Sequence, residues 1–154
     1  MKLELKSIKH TAWASEETHC YQANLYVDGK PVAVVSNDGH GGCDRDYDHP
    51  KFKGDYRLVM KSIKEHFESL PPSPFSYEGS DGVMVHDTLP QTLESWCCDQ
   101  VNDFLTGREL KRKLKSNILF QKEGEDGVYG SKYYPTVTDG SWVNGRRILN
   151  DMPF

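Results

Sequence analysis

The chain has 154 residues, 36% hydrophobic, 27% charged and 11% aromatic, with a formal net charge of −4. That length suits one domain able to bury a core, so residues 1–154 are read as a single domain. The aromatic content argues against disorder, the acidity against a protein that coats duplex nucleic acid, and no stretch approaches the ~20 apolar residues of a membrane-spanning helix.

Met1-Lys2-Leu3-Glu4-Leu5-Lys6 alternates charged and apolar residues, which predicts a half-buried strand and lacks the apolar run of a signal peptide. The expected location is therefore the cytoplasm, with Cys20, Cys43, Cys97 and Cys98 as free thiols. Residues 20–36 predict a β-hairpin: Cys20 to Val27, a turn at Asp28-Gly29, then Pro31 to Val35. A glycine-rich loop follows, Ser36-Asn37-Asp38-Gly39-His40-Gly41-Gly42-Cys43-Asp44, and the polar stretch after it predicts no regular structure before Gly54.

Tyr56, Val59, Met60, Ile63, Phe67 and Leu70 fall at helical spacing, predicting a helix over 55–70 with Asp55 as N-cap and Pro71-Pro72-Ser73-Pro74 as its stop. Residues 71–88 read as a surface connection with one short strand at 82–85. A second amphipathic helix is expected from Thr88, with Thr88 and Gln91 at capping-box spacing. Gly107 is expected to break it, leaving a short basic helix from Arg108 to Lys115. Strands are expected at 117–121 and 127–129, and the tail 141–154 as a helix or an extended segment. The fold class is α+β: an N-terminal antiparallel sheet or hairpin, two main amphipathic helices and C-terminal strands.

Three kinds of site follow from these residues. The loop of Asn37, Asp38, Gly39, His40, Gly41, Gly42 and Asp44 could present backbone amides to a nucleotide or other small ligand. It lacks the Gly-Lys-Ser/Thr ending of a phosphate loop and the G-x-G-x-x-G spacing, and its glycines also suit plain loop geometry. His19, Cys20, His40 and Cys43 have the types and spacing of metal ligands if the hairpin brings them together, and a metal-assisted hydrolase would centre on His40 and Asp44. Cys43 sits among carboxylates that oppose a thiolate and Cys97 lies on an apolar helix face, so no catalytic residue is assigned and no cofactor is implied. The basic segment offers Arg108, Lys111, Arg112, Lys113 and Lys115 to an acidic protein surface or, within 108–115 only, to phosphates. With the acidic loop it also permits self-association.

Leu25-Tyr26-Val27-Asp28-Gly29-Lys30, Val35-Ser36-Asn37-Asp38-Gly39 with Gly42-Cys43-Asp44, and Ile148-Leu149-Asn150-Asp151-Met152-Pro153-Phe154 resemble small proteins carried by phages and mobile elements of proteobacteria. The resemblance implies a setting in which accessory proteins bind and disable a host factor, such as a nuclease or defence complex. It carries over no catalytic residue. The favoured expectation is therefore a partner-binding accessory protein that is not an enzyme.

Overall fold

The computed structural model describes residues 1–80, 82–114, 118–122, 128–131, 142–143 and 146–148, with side chains through residue 112. Strands and helices combine in an α+β arrangement, and the chain falls into two compact units, Met1–Val101 and Asn102–Phe154.

The first unit is built on a four-stranded antiparallel sheet in chain order, β1 (Leu3–His10), β2 (Tyr21–Val27), β3 (Lys30–Asn37) and β4 (Arg45–Asp48). Asp28 and Gly29 both take positive φ, 47° and 80°, as a tight I′ hairpin turn requires. In β1 one extra residue separates Lys6 from Lys9 relative to β2, and Ser7 sits in this bulge at φ 55°. The bulge returns His10 to the face that carries Leu5. Register sorts the strands into two faces. Leu5, Leu25 and Ala33 stand opposite one another, as do Ala23 and Val35, and Tyr21 and Asn37; Tyr21, Ala23, Leu25, Ala33, Val35 and Asn37 are all buried. The other face mixes the polar Lys6, Lys9, Gln22, Asn24, Ser36 and Arg45 with Tyr26, Pro31, Val34 and Tyr47.

Helix α1 (Tyr56–Glu68) contributes Ile63 and Phe67 to the buried set. It starts where expected because the Asp55 carboxylate accepts from the Leu58 amide at 3.1 Å, satisfying one of the free first-turn donors. Cys97 and Val101 of α2 (Leu93–Leu114) complete the core, with the Phe67 and Trp96 rings 6.5 Å apart.

Four expectations need correction. The polar stretch after the loop contains β4, whose Arg45, Asp46, Tyr47 and Asp48 pair along Ser36 to Ala33 as an exposed edge strand. The connection after α1 is a two-stranded ribbon, β5 (Ser73–Glu78) with β6 (Met84–Leu89), in place of one strand. Thr88 lies in β6 and caps nothing; the helix starts at Leu93, because Leu89 precedes Pro90 and is steered out of helical geometry. The true cap is Thr92, whose hydroxyl accepts from the Ser95 amide at 3.0 Å while Ser95 Oγ accepts from the Thr92 amide at 3.0 Å. Finally, α2 runs without interruption through Gly107 to Leu114. An interior glycine costs a helix only about 1 kcal/mol, and Gly107 has no positive φ to fix an end there.

In the second unit, β7 (Ile118–Lys122), β8 (Val128–Ser131), β9 (Trp142–Val143) and β10 (Arg146–Ile148) form an antiparallel sheet in the order β8-β7-β10-β9. The tail 141–154, expected as a helix or an extended segment, is strand at 142–143 and 146–148, and its other residues lie outside the described ones. No described helix is long and apolar enough to cross a membrane.

Candidate functional site

Strand β3 ends at Asn37, and the glycine-rich loop is organised around that side chain. Asn37 is only 8% exposed, so its amide must find partners within the protein. Its Oδ1 accepts from the Thr18 hydroxyl at 2.8 Å and from the Gly39 amide at 2.9 Å. Its Nδ2 donates to the Gly42 carbonyl at 2.8 Å and to Asp44 Oδ1 at 3.0 Å. One buried amide thus ties both ends of the loop to the hairpin entry.

The loop is further held by the segment before β2. The Gly39 carbonyl accepts from the amides of Glu16, Glu17 and Thr18 at 3.0, 3.0 and 3.3 Å. Gly39 takes φ +91°, and a Cβ there would overlap the Ala14 carbonyl oxygen. Gly41 takes φ +81°. These two glycines serve backbone geometry. Four of the loop's amides are engaged internally: Gly39 with Asn37, His40 with Asp38, Gly41 with Thr18 and Asp44 with Glu94.

The proposed metal ligands take up separate roles. His19 packs edge-on against His10, with ring centroids 5.3 Å apart. Cys20 is half-buried and its amide donates to Ser15 Oγ at 2.9 Å. His40 Nδ1 lies 3.3 Å from Glu16 Oε2 at the surface, and Cys43 is exposed. Among the described residues no three His, Cys, Asp or Glu side chains gather in a metal-holding group, so the hairpin does not bring the four together as one ligand set. On α2, Arg108, Lys111 and Arg112 are exposed, with the Arg108 guanidinium 5.6 Å from the Phe104 ring centroid. The Lys113 side chain and Lys115 lie outside the described residues.

Asp44 is the residue whose surroundings are least legible in the sequence. It accepts from the Tyr21 hydroxyl and from Asn37, and its amide donates to Glu94 Oε1 at 3.2 Å. Burial first, then the bond to Asp44, push the Tyr21 phenol well above its ordinary range. Burial, reinforced by the Asp44 charge, pushes the Cys97 thiol up to about 12, which removes it as a nucleophile at neutral pH.

Both groups therefore hold their protons longer in the folded chain than in the unfolded one. Their contribution to stability is complete below the unfolded thiol value of 9.0 and is lost as pH rises toward the folded values. Urea midpoints measured from neutral pH to about pH 11 should fall steeply beyond pH 9, and more shallowly in Cys97→Ala. A midpoint that ignores alkaline pH would contradict the burial of these groups.

Asp44 stands between two cavities. One, of about 670 Å³, has an apolar floor that includes Met60, Ile63, Phe67 and Leu93, with the carboxylates of Asp44, Asp46 and Glu94 around it. Lys64 is the one cation in its lining and is paired with Glu68 at 3.7 Å. Asp46 accepts from Tyr56 at 2.6 Å, and burial, then that bond, raise the Tyr56 phenol. Among the described residues none of Asp44, Asp46 and Glu94 forms an ion pair. The second cavity, of about 680 Å³, shares Asp44, Thr92 and Glu94 and adds His10, Ser15 and His19. Comparison with known proteins places the chain beside none of them: no family model, no curated protein and no solved structure matches.

Proposed function

We infer that the chain acts by binding a macromolecular partner, and that the cavity between α1 and the start of α2 receives an apolar segment of that partner bearing a lysine or arginine. One observation carries this reading: an apolar floor of about 670 Å³ is ringed by three carboxylates that have no cationic partner among the described residues. The volume lies within the ~300–1,000 Å³ of ordinary ligand clefts. An apolar anchor contributes affinity there, and the carboxylates select for positive charge and steer approach. The glycine-rich loop supplies the wall that carries Asp44, and its amides take no part. The phage-like resemblance of the flanking segments makes a host nuclease or defence complex the partner class to try first.

Short labelled peptides with an amphipathic leucine–lysine pattern, titrated against the full chain by fluorescence anisotropy, test this. They should bind, and the leucine–glutamate counterparts should not. Asp46→Asn combined with Glu94→Gln should weaken binding by at least about tenfold, the loss expected when charge pairs of ~1–2 kcal/mol disappear. Equal binding of basic and acidic peptides would sink the reading. A simple aliphatic amine that binds as tightly as the peptide would replace it with a small-ligand role for the same cavity.

A further inference from the structure

The outer face of the first sheet lies apart from both cavities, and strand register places its residues in three rows. The first is Lys6, Asn24, Val34 and Tyr47; the second is Lys9, Gln22, Ser36 and Arg45; the third is Glu4, Tyr26 and Pro31. From β1 to β4 the face is about 14 Å wide, three strand spacings of ~4.8 Å. The helix residues meet the opposite face: Val35 lines a cavity with Ile63 and Phe67 of α1, and Tyr21 lies beside Cys97 of α2.

Two details show how the tyrosines lie. The Tyr47 hydroxyl accepts from Gln22 Nε2 at 2.9 Å, although Tyr47 is on β4 and Gln22 on β2. The phenol must therefore lie across β3, and this explains why Val34 is only 8% exposed on this face. The ring is spread over the sheet and remains 46% exposed. Tyr26 carries the Lys6 ammonium 4.6 Å from its ring centroid.

Cations border these rings on both edges. Lys6 and Lys9 stand on β1, and Arg45 on β4. Glu4 is shared between Lys2 and Lys6, and Asp38 holds Arg45 at 2.9 Å, while Lys9 makes no ion pair among the described residues. Positive charge thus predominates on the outer face of a chain whose net charge is −4, while Asp44, Asp46 and Glu94 line the cavity.

We propose that this outer face binds single-stranded nucleic acid, with bases stacked on Tyr47 and Tyr26 and phosphates drawn to Lys6, Lys9 and Arg45. Aromatic rings spread on an antiparallel sheet stack two or three unpaired bases, and the amides of Gln22 and Asn24 between them can donate and accept at base edges. A duplex keeps its bases stacked internally and offers these rings nothing. The cations add a salt-dependent attraction of the usual phosphate kind. This site is independent of the cavity proposed for a partner, and it uses none of the same residues.

The test is fluorescence anisotropy of the full chain with labelled oligo(U) and oligo(dT), against a duplex of equal length, over a series of salt concentrations. Single strands should bind more tightly than the duplex, with affinity falling as salt rises. Tyr47→Ala should weaken binding by about tenfold, within the range for loss of one stacked base. Tyr47→Phe should retain most of it, and Lys9→Glu should weaken binding while reducing the salt slope. Lys9→Glu sits on an exposed edge and touches no packing, so it stays informative even if Tyr47→Ala disturbs the sheet. Absence of binding, or equal affinity for duplex and single strand, would overturn the proposal. So would binding that ignores Tyr47→Ala and Lys9→Glu but is lost in Arg108→Glu with Lys111→Glu and Arg112→Glu, which assigns it to the helix.

Discussion

Gly39→Ala is expected to destabilise the first unit by about 3 kcal/mol or more. Two costs combine. A non-glycine residue at φ +91° pays about 1–2 kcal/mol of backbone strain. The added Cβ also overlaps the Ala14 carbonyl oxygen and approaches the Cys20 Cβ to 2.9 Å, and both neighbours are held in place. Relief requires the loop to withdraw, and withdrawal breaks the three amide bonds from Glu16, Glu17 and Thr18 to the Gly39 carbonyl. Gly42→Ala is the matched control. Nothing lies within 4 Å of a Cβ there and its φ is not positive, so it should change stability by less than about 1 kcal/mol. Gly41→Ala should fall between them, because its obstruction is the flexible Glu17 carboxylate. Urea denaturation of the three variants gives the ranking, and equal losses at Gly39 and Gly42 would refute it.

The second large effect is at Asn37. Removing its amide in Asn37→Ala deletes four hydrogen bonds and leaves the Gly39 amide and Asp44 Oδ1 without that partner, for an expected loss of about 3 kcal/mol. Asn37→Asp separates the electrostatic part. Its shape is nearly unchanged, but a carboxylate replaces the group that donates to Asp44, so two like charges meet at a site only 8% exposed. The folded variant gains by taking up one proton, which the unfolded chain does not need at the same pH. Its deficit relative to the parent should therefore be greatest at neutral pH and shrink on acidification toward pH ~4. Urea midpoints of both proteins at neutral and acidic pH check this. A deficit independent of pH would mean that Asp44 does not face position 37.

The elements that the sequence displays clearly are those whose determinants are local. Asp28-Gly29 dictates its turn because two consecutive positive φ angles suit few other pairs. The α1 stripe and its Asp55 cap lie within one element, so periodicity and a single side chain suffice to place them. The misplaced start of α2 was also local in origin: the Thr88–Gln91 spacing resembles a cap, yet Pro90 outweighs it by steering Leu89 into strand geometry. Strand β4 was hidden for a different reason. Arg45-Asp46-Tyr47-Asp48 carries no apolar alternation, because an exposed edge strand is specified by the backbone groups of β3 beside it.

The glycine-rich loop was visible in the sequence as an unusual segment, along with the residues composing it. Only the tertiary structure decided what those residues do. Asn37 reads as one polar loop residue among many until burial makes its four bonds obligatory. Asp44 acquires its meaning from Tyr21 and Glu94, 23 and 50 residues away. The outer sheet face likewise depends on register, since Lys6, Asn24, Val34 and Tyr47 share a row only because three strand pairs align them. Composition and period report how a segment treats water, and so they revealed the hairpin and the helices. Pairing across long separations is chosen by packing and hydrogen-bond satisfaction in three dimensions, which is why the loop lock, the carboxylate-ringed cavity and the tyrosine face emerged only in the fold.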